Sequence, residues 1–319
     1  MTRSVDLRAT RRTVLIAGAA NVIVAILKLA AGLVAGSSAM LAEAAHSLAD
    51  TLNQGLLLAS LRLAERPGDR QHPFGYGQER YFWSLLSAFG IFVAGAGFSV
   101  FEGVLALRGG RETGSTLLAY VVLAVSCVAE GTSLTRALRQ SRAQARSRQE
   151  GLLAHVRHSP DTTVKTALFE DSAAVIGLAL AAAGLVLRQL TGSEVWDGSA
   201  SIAIGALLIV VALRLGADSR QLLIGRAAGD SQEQLIRAEI ESMPGVDSLV
   251  ELLTMHLGPD HLIVGARVDF SDDISADDAE ALADRIDTRL AERLPVVPHV
   301  FIDPTQRTSI TFTPGDRGI

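Results

Sequence analysis

Read for hydropathy alone, the chain changes character near residue 228. Before that point apolar residues run in blocks of about 20 or more, enough at about 1.5 Å per helical residue to cross a bilayer. The pattern predicts six transmembrane helices, at roughly 13–36, 38–61, 81–107, 115–137, 163–187 and 197–222. Gly and Ala recur in them, as in AGAG at 94–97, GLALAAAG at 177–184 and AIGAL at 203–207. Small residues of this kind let membrane helices approach closely. The first span is too long, and too far from any small-residue cleavage pattern, to read as a signal peptide.

After 228 the period shortens. SQEQLIRAEIESMP reads as an amphipathic helix closed by Pro244. VDSLVELLTMHLGPDHLIVGARVDF reads as two strands around a Gly258-Pro259-Asp260 turn. SADDAEALADRIDTRLAERL reads as a second helix with Ser275 as N-cap and acids in its first turn, and PHVFIDP as a last short strand. The order αββαβ predicts a small ferredoxin-like α+β sandwich, its helices on one face of a mostly antiparallel sheet. The expected division is 1–227 for the membrane part, 228–307 for the soluble domain and 308–319 for a loose tail.

Charge separates the same two parts. The net charge of -5 divides into 22 Lys and Arg against 16 Asp and Glu before residue 230, and 7 against 18 from residue 230 onward. The bases cluster in alternate connections. Arg3, Arg8, Arg11 and Arg12 precede the first span, Arg62, Arg66, Arg70 and Arg80 follow the second, and Arg136, Arg139, Arg142, Arg146, Arg148 and Arg157 follow the fourth. The opposite connections hold only Arg108, Arg111 and Arg188. The positive-inside rule then puts both termini in the cytoplasm, in an inner or plasma membrane, and an even number of spans agrees. The Arg-rich stretch 136–148 is read as a loop that carries this topology signal and touches anionic headgroups. No basic patch interleaved with aromatics points to nucleic acid. The GxxxxGK[ST] pattern is absent, which argues against a nucleotide as energy source. The single Cys127 excludes an intrachain disulfide and a cysteine zinc cage, and no cofactor is expected.

The candidate chemistry lies in the second span, where AEAAHSLADTLNQ interrupts the apolar run at 42–54. At about 100° per residue, Glu43, His46, Asp50 and Asn53 fall within roughly 80° of one helix face. Ionisable groups in a membrane span are expensive and mark function by default. His46 and Asp50 stand one turn apart, and imidazole nitrogen with carboxylate oxygen suits zinc and its neighbours. The alternative is a hydrogen-bonded polar seam between helices. The fifth span, TTVKTALFEDSAAVIGLALAAAG, supplies the partner acids Glu170 and Asp171. Thr163, Thr166, Ala174, Gly177, Ala181 and Gly184 lie near the Glu170 face and suit helix packing, which favours Glu170 over Asp171 as the facing ligand. An interhelical hydrogen bond is the alternative for this pair. Lys28, Asn21 and Glu130 are read as a proton relay or interhelical bonds, Glu102 and Arg214 as side chains that snorkel from span ends, and His155 and His158 as solvated loop residues.

HSLAD in the second span, HPFGYGQER at 72–80 and the αββαβ tail resemble the cation diffusion facilitators. The match to AEAxHSxxDxxNQ is nearest in flavour to the branch that includes the animal zinc transporters of the ninth type. The resemblance covers nearly the whole chain. It implies a homodimer that exports divalent metal from the cytoplasm in exchange for protons, with a transport site of His46 and Asp50 plus fifth-span ligands. The family's usual fifth-span HxxxD is altered, with Glu170 where His is usual and Ala174 where Asp is usual. That oxygen-rich set suits zinc, and also manganese, iron or cobalt. By the same resemblance Asp69 and His72 match two ligands of a lesser loop site whose third position holds Tyr76. The turn residues Pro73, Gly75 and Gly77 give that loop a purely structural reading. In the tail His256, His261, His299 and Asp303 are metal-capable, but Phe301 stands where the family's tail site would have His.

The expected function is therefore a secondary transporter, not an enzyme. Metal needs deprotonated ligands, so protons and metal compete for one site, and His is the natural proton carrier near neutrality. A metal-sensing membrane protein without transport is the first rival. A membrane metalloprotease is the second, and it lacks both HExxH and a second His in any span.

Overall fold

A computed structural model describes residues 7–109, 114–147, 151, 152, 156, 162–297 and 299–306. The residues group into two units, Met1–Glu65 with Glu79–Arg220, and Arg66–Gln78 with Gln221–Ile319.

The first unit is helical. It comprises α1 (Leu7–Ala35), α2 (Ser38–Ala64), α3 (Glu79–Arg108), α4 (Leu117–Ser147), α5 (Thr162–Thr191) and α6 (Val195–Ile224) up to Arg220. Among the described residues, four stretches are long and apolar enough to cross a membrane, Glu79–Arg108, Leu117–Arg146, Lys165–Thr191 and Val195–Ile224. The described apolar part of α1 is the shorter Asn21–Ala35. The hydropathy of α2 is diluted by the polar face already noted.

Two differences from the sequence reading concern α3 and α4. Ile91–Gly97 in α3 is wound as a π-helix, which no periodicity argument anticipates. The Arg-rich stretch expected to be loop stays helical to Ser147, since Ala, Arg and Gln are good helix formers that need no apolar partner.

The turn between α1 and α2 shows why the chain reverses there. Gly36 adopts φ 60, the left-handed conformation that ends helices, and Ser37 caps α2 by accepting a hydrogen bond from the Met40 amide at 3.2 Å. Two distant residues lock this corner. Ser37 Oγ donates to Asp197 Oδ1 at 2.6 Å, and the Ser38 amide donates to Asp197 Oδ2 at 2.5 Å. Arg188 Nη1 donates to the carbonyl of Gly36 at 3.0 Å and Arg188 Nη2 pairs with Glu194 at 2.7 Å. Counted above as a loop base, Arg188 is in fact buried.

Helix packing rests on small side chains. The interior joins Ala31, Ala35 and Ala42 to Ala173, Ala181, Leu185, Ile204 and Leu208. A methyl group added at Gly103 of α3 would lie 2.7 Å from the Gly198 carbonyl oxygen and 3.0 Å from the Ile202 amide nitrogen of α6, so those two backbones approach closely. Larger apolar side chains such as Leu33, Phe89, Phe101 and Leu213 point outward. Glu102, expected to snorkel, is buried instead.

The second unit follows the order αββαβ, with α7 (Asp230–Glu241), β1 (Val246–Gly258), β2 (His261–Phe270), α8 (Ala276–Arg293) and β3 (His299–Pro304). Ser275 caps α8, accepting from the Asp278 amide at 3.2 Å. The sheet order is β1-β2-β3, with β1 and β2 antiparallel and β2 and β3 parallel. The sheet is thus mixed rather than mostly antiparallel, because α8 is a crossover that returns the chain in the direction of β2. One face packs Leu262, Val264, Ala266 and Val268 against Ile236, Ile240, Leu282, Ile286 and Leu290 of the helices. The other face is open, with Leu253 57% and Phe301 54% exposed.

The connection 66–78, placed with the membrane part by the sequence division, groups with this second unit. Phe74 meets the rings of His299 at 5.5 Å and Phe301 at 6.5 Å, edge to face. Gly77 lies so close to β1 that an added methyl would sit 2.4 Å from the Leu257 carbonyl. The expected loose tail 308–319, His155 and His158 lie outside the described residues.

Candidate functional site

The helical register of α2 does what its spacing predicts. Glu43, His46 and Asn53 are almost wholly buried, and the side chain of Asp50 is 13% exposed. The face is held differently at its two ends.

At the N-terminal end stands Lys28 of α1, fully buried. Its ammonium donates to Glu43 Oε2 at 3.1 Å and to Ser47 Oγ at 2.8 Å, and lies 3.9 Å from Glu130 Oε1 of α4. The sequence showed these as isolated polar residues in three spans, and nothing in their spacing paired them. Glu43 is thereby the partner of a cation. Its other oxygen rests over Gly177 of α5, where an added methyl would stand 2.1 Å from Oε1.

At the C-terminal end Asn53 bridges two helices. Its Nδ2 donates to Glu170 Oε1 at 2.5 Å, and its Oδ1 accepts from Ser87 Oγ of α3. Glu170 therefore turns toward α2. Asp171 turns toward α4, where Ser133 Oγ donates to it at 2.8 Å. Adjacent helical residues diverge by about 100°, which accounts for the split.

Between these ends lies the His46–Asp50 pair, with Nε2 3.6 Å from Oδ2. Both imidazole nitrogens and Asp50 Oδ1 are buried without a hydrogen-bond partner. Unmade hydrogen bonds of buried polar groups cost about 1–3 kcal/mol each. A neutral imidazole nitrogen and a carboxylate oxygen so placed are donors of electron pairs to a cation. Among the described residues no group of three or more His, Cys, Asp and Glu stands close enough to hold a metal ion. Asn53 holds Glu170 a turn away from the pair, so the candidate ligands face one another without being gathered.

The other candidates are engaged elsewhere. Asp69 accepts from Tyr76 Oη at 2.7 Å and from the amides of Gln71 at 2.8 Å and His72 at 2.7 Å. These bonds, the Tyr76 hydroxyl foremost, hold its carboxyl below the usual carboxylate range. His72 Nδ1 is 3.6 Å from Asp69 Oδ1. Asp303 pairs with Arg267 Nε at 3.1 Å and stands opposite Arg267 in the sheet. His261 begins β2, six residues earlier, so about 20 Å separates the two. They share no site within one chain. His256 is buried, and His299 meets Phe74 edge to face.

A bundle of apolar helices with a buried imidazole–carboxylate face, followed by a small α+β domain, defines a polytopic membrane protein with a soluble domain. A family model for the cation efflux transmembrane domain matches residues 14–224, and one for the cation efflux protein cytoplasmic domain matches 228–304. The chain belongs to the cation efflux family. It is 35% identical over 269 residues to the mitochondrial proton-coupled zinc antiporter SLC30A9 of Homo sapiens, covering 84% of this chain and 47% of that protein. It is 36% identical over 251 residues to metal tolerance protein C4 of Arabidopsis thaliana, covering 79% of this chain and 55% of the relative. The chain thus spans about half the length of these curated relatives. It is also 26% identical over 292 residues to the cation-efflux pump FieF of Serratia proteamaculans, covering 90% of each chain.

Proposed function

We propose that this protein is a secondary transporter that exports divalent metal cations, Zn2+ first among them, in exchange for protons. The observation that carries the reading is the His46–Asp50 pair, buried in the helical unit with lone pairs that no protein group satisfies. The names of the relatives support it, since they include proton-coupled zinc antiporters and cation-efflux pumps.

In this reading all six helices α1–α6 span an inner or plasma membrane and both termini are cytoplasmic. The membrane part is 1–227, the soluble domain 228–307 and the tail 308–319. The metal is bound by His46, Asp50 and Glu170, with Asp171 or Asn53 assisting. Binding draws Glu170 off Asn53 toward Asp50, and the carboxylate exchanges an amide donor for the cation. Protons arriving from the far side take the same lone pairs and release the metal. Helix rearrangement exposes the site to each side in turn. In this reading the protein is a homodimer joined through the soluble domain and the transmembrane helices, and the open sheet face, with its exposed Leu253 and Phe301, supports the first of these contacts. No resident cofactor takes part, and the metal is cargo.

The test is metal flux into proteoliposomes under an imposed pH gradient, with zinc, manganese, cobalt and iron(II), for wild type and Asp50→Asn. Gradient-driven zinc flux that Asp50→Asn abolishes is the expected result. Flux of manganese or iron alone keeps the mechanism and changes the cargo. Folded, oriented protein that moves none of these metals refutes transport and favours a sensor.

A further inference from the structure

The Lys28 cluster lies on the same face as the candidate transport site and is used by nothing described so far. Glu43 stands three residues before His46, inside the arc that the candidate ligands occupy. By position and chemistry it would be an additional oxygen ligand. What keeps it from that role is the ammonium, which binds one oxygen at 3.1 Å; the other oxygen lies over Gly177 without a hydrogen-bond partner, so Lys28 is the tie that holds the carboxylate. The ammonium itself is anchored rather than free. Its three N–H directions are taken by Glu43, Ser47 and, at ion-pair distance, Glu130. It is wholly buried, and it lies with Glu43 and Glu130 within electrostatic reach of His46.

We propose that Lys28 is a specificity-determining residue: a built-in cation that withholds Glu43 from the metal and so limits the oxygen ligands of the His46–Asp50 site. This inference rests on the transport-site reading above. Ligand hardness gives it direction. Each added carboxylate favours manganese relative to zinc, because hard ions prefer oxygen donors. A chain without the Lys28 charge should therefore bind Mn2+ better, through Glu43, and discriminate less for Zn2+.

The experiment is calorimetric titration of the full-length protein in detergent with Zn2+ and with Mn2+ at one fixed pH. Four forms are compared: wild type, Lys28→Met, Lys28→Met/Glu43→Gln and Asp50→Asn. Lys28→Gln replaces Lys28→Met if the latter does not accumulate folded, since it keeps a donor to Glu43 and Ser47 without the charge. The expected result is at least a tenfold gain in Mn2+ affinity in the single variant, a smaller change for Zn2+, and reversal of the gain when Glu43 is also changed. An unchanged Mn2+ affinity in the folded single variant overturns the inference while leaving the transport site intact. A gain that persists without the Glu43 carboxylate overturns it too, since the effect is then charge alone. Wild type that binds neither ion, or binding that Asp50→Asn does not weaken, overturns the transport-site reading and this inference with it.

Discussion

Gly177→Ala adds one methyl group to the interior of α5, and helix propensity alone would make it favourable by about 1 kcal/mol. The structure predicts the opposite sign. The new Cβ would lie 2.1 Å from Glu43 Oε1 and 3.3 Å from its Cδ. An ordinary C···O contact is about 3.3 Å, so the carboxylate must retreat by about 1.2 Å. Glu43 is fully buried, and its charge partner Lys28 holds the other oxygen at 3.1 Å. A small retreat forces an off-rotamer side chain at about 0.5–1.5 kcal/mol. A full retreat breaks the ion pair and leaves both charges buried, at about 3–5 kcal/mol. Less the propensity gain, a full retreat gives a net destabilisation of about 2–4 kcal/mol. Since a chain of this size shifts by about 2–4 °C per kcal/mol, thermal unfolding in detergent should fall by roughly 4–16 °C. The decisive comparison is the same substitution in a Lys28→Met/Glu43→Ala background, where no carboxylate remains to displace. There Gly177→Ala should be neutral or stabilising. Equal destabilisation in the two backgrounds would refute the packing of Glu43 on Gly177.

Two further expectations follow from residues far from the pair. Asp197→Ala removes the acceptor for the Ser37 hydroxyl and the Ser38 amide, two bonds to a charged group in a buried corner. A loss of about 3 kcal/mol, read as a lowered unfolding temperature, is expected, and a change under about 0.5 kcal/mol would mean that water or another group caps α2. Tyr76→Phe deletes the first of the hydrogen bonds that depress the Asp69 carboxyl. Its titration, followed by carbon-13 NMR of labelled aspartate, should move up toward the ordinary range. The sign for stability is that of a depressed acid. The contribution is present above the unfolded-state pKa and is lost as pH falls through the folded-state value, so the variant should lose less on acidification than wild type.

The chain's division into an apolar helical part and an acidic αββαβ part was legible because both rest on periodicity, and periodicity is local. Burial of the Glu43–Asn53 face was legible for the same reason, since a 3.6-residue period fixes which side chains share a side wherever the helix docks. The capping of α8 by Ser275 is likewise a matter of three residues. The sequence could favour Glu170 over Asp171 as the acid facing α2, because the two diverge by a known angle and one side carries the small residues.

What it could not supply are the partners across space. Lys28 and Glu43 are 15 residues apart, Asn53 and Glu170 are 117, and Ser37 and Asp197 are 160. No local rule links such positions. Each pairing depends on which helix faces which, and at what depth and rotation. The parallel pairing of β3 with β2, which makes the sheet mixed, was not legible on the same ground, since strand pairing is decided by the crossover of α8 and not by the strand's own residues. Loop 66–78 reads locally as a set of turns. Its association with β1 and β3 exists only once Phe74 meets His299 and Phe301 and the glycine at 77 meets the Leu257 backbone. Sequence alone thus determined the elements and their faces. The tertiary structure decided which buried polar groups are paired by protein and which are left without a hydrogen-bond partner, because in a low-dielectric interior that choice depends on separations of a few ångströms.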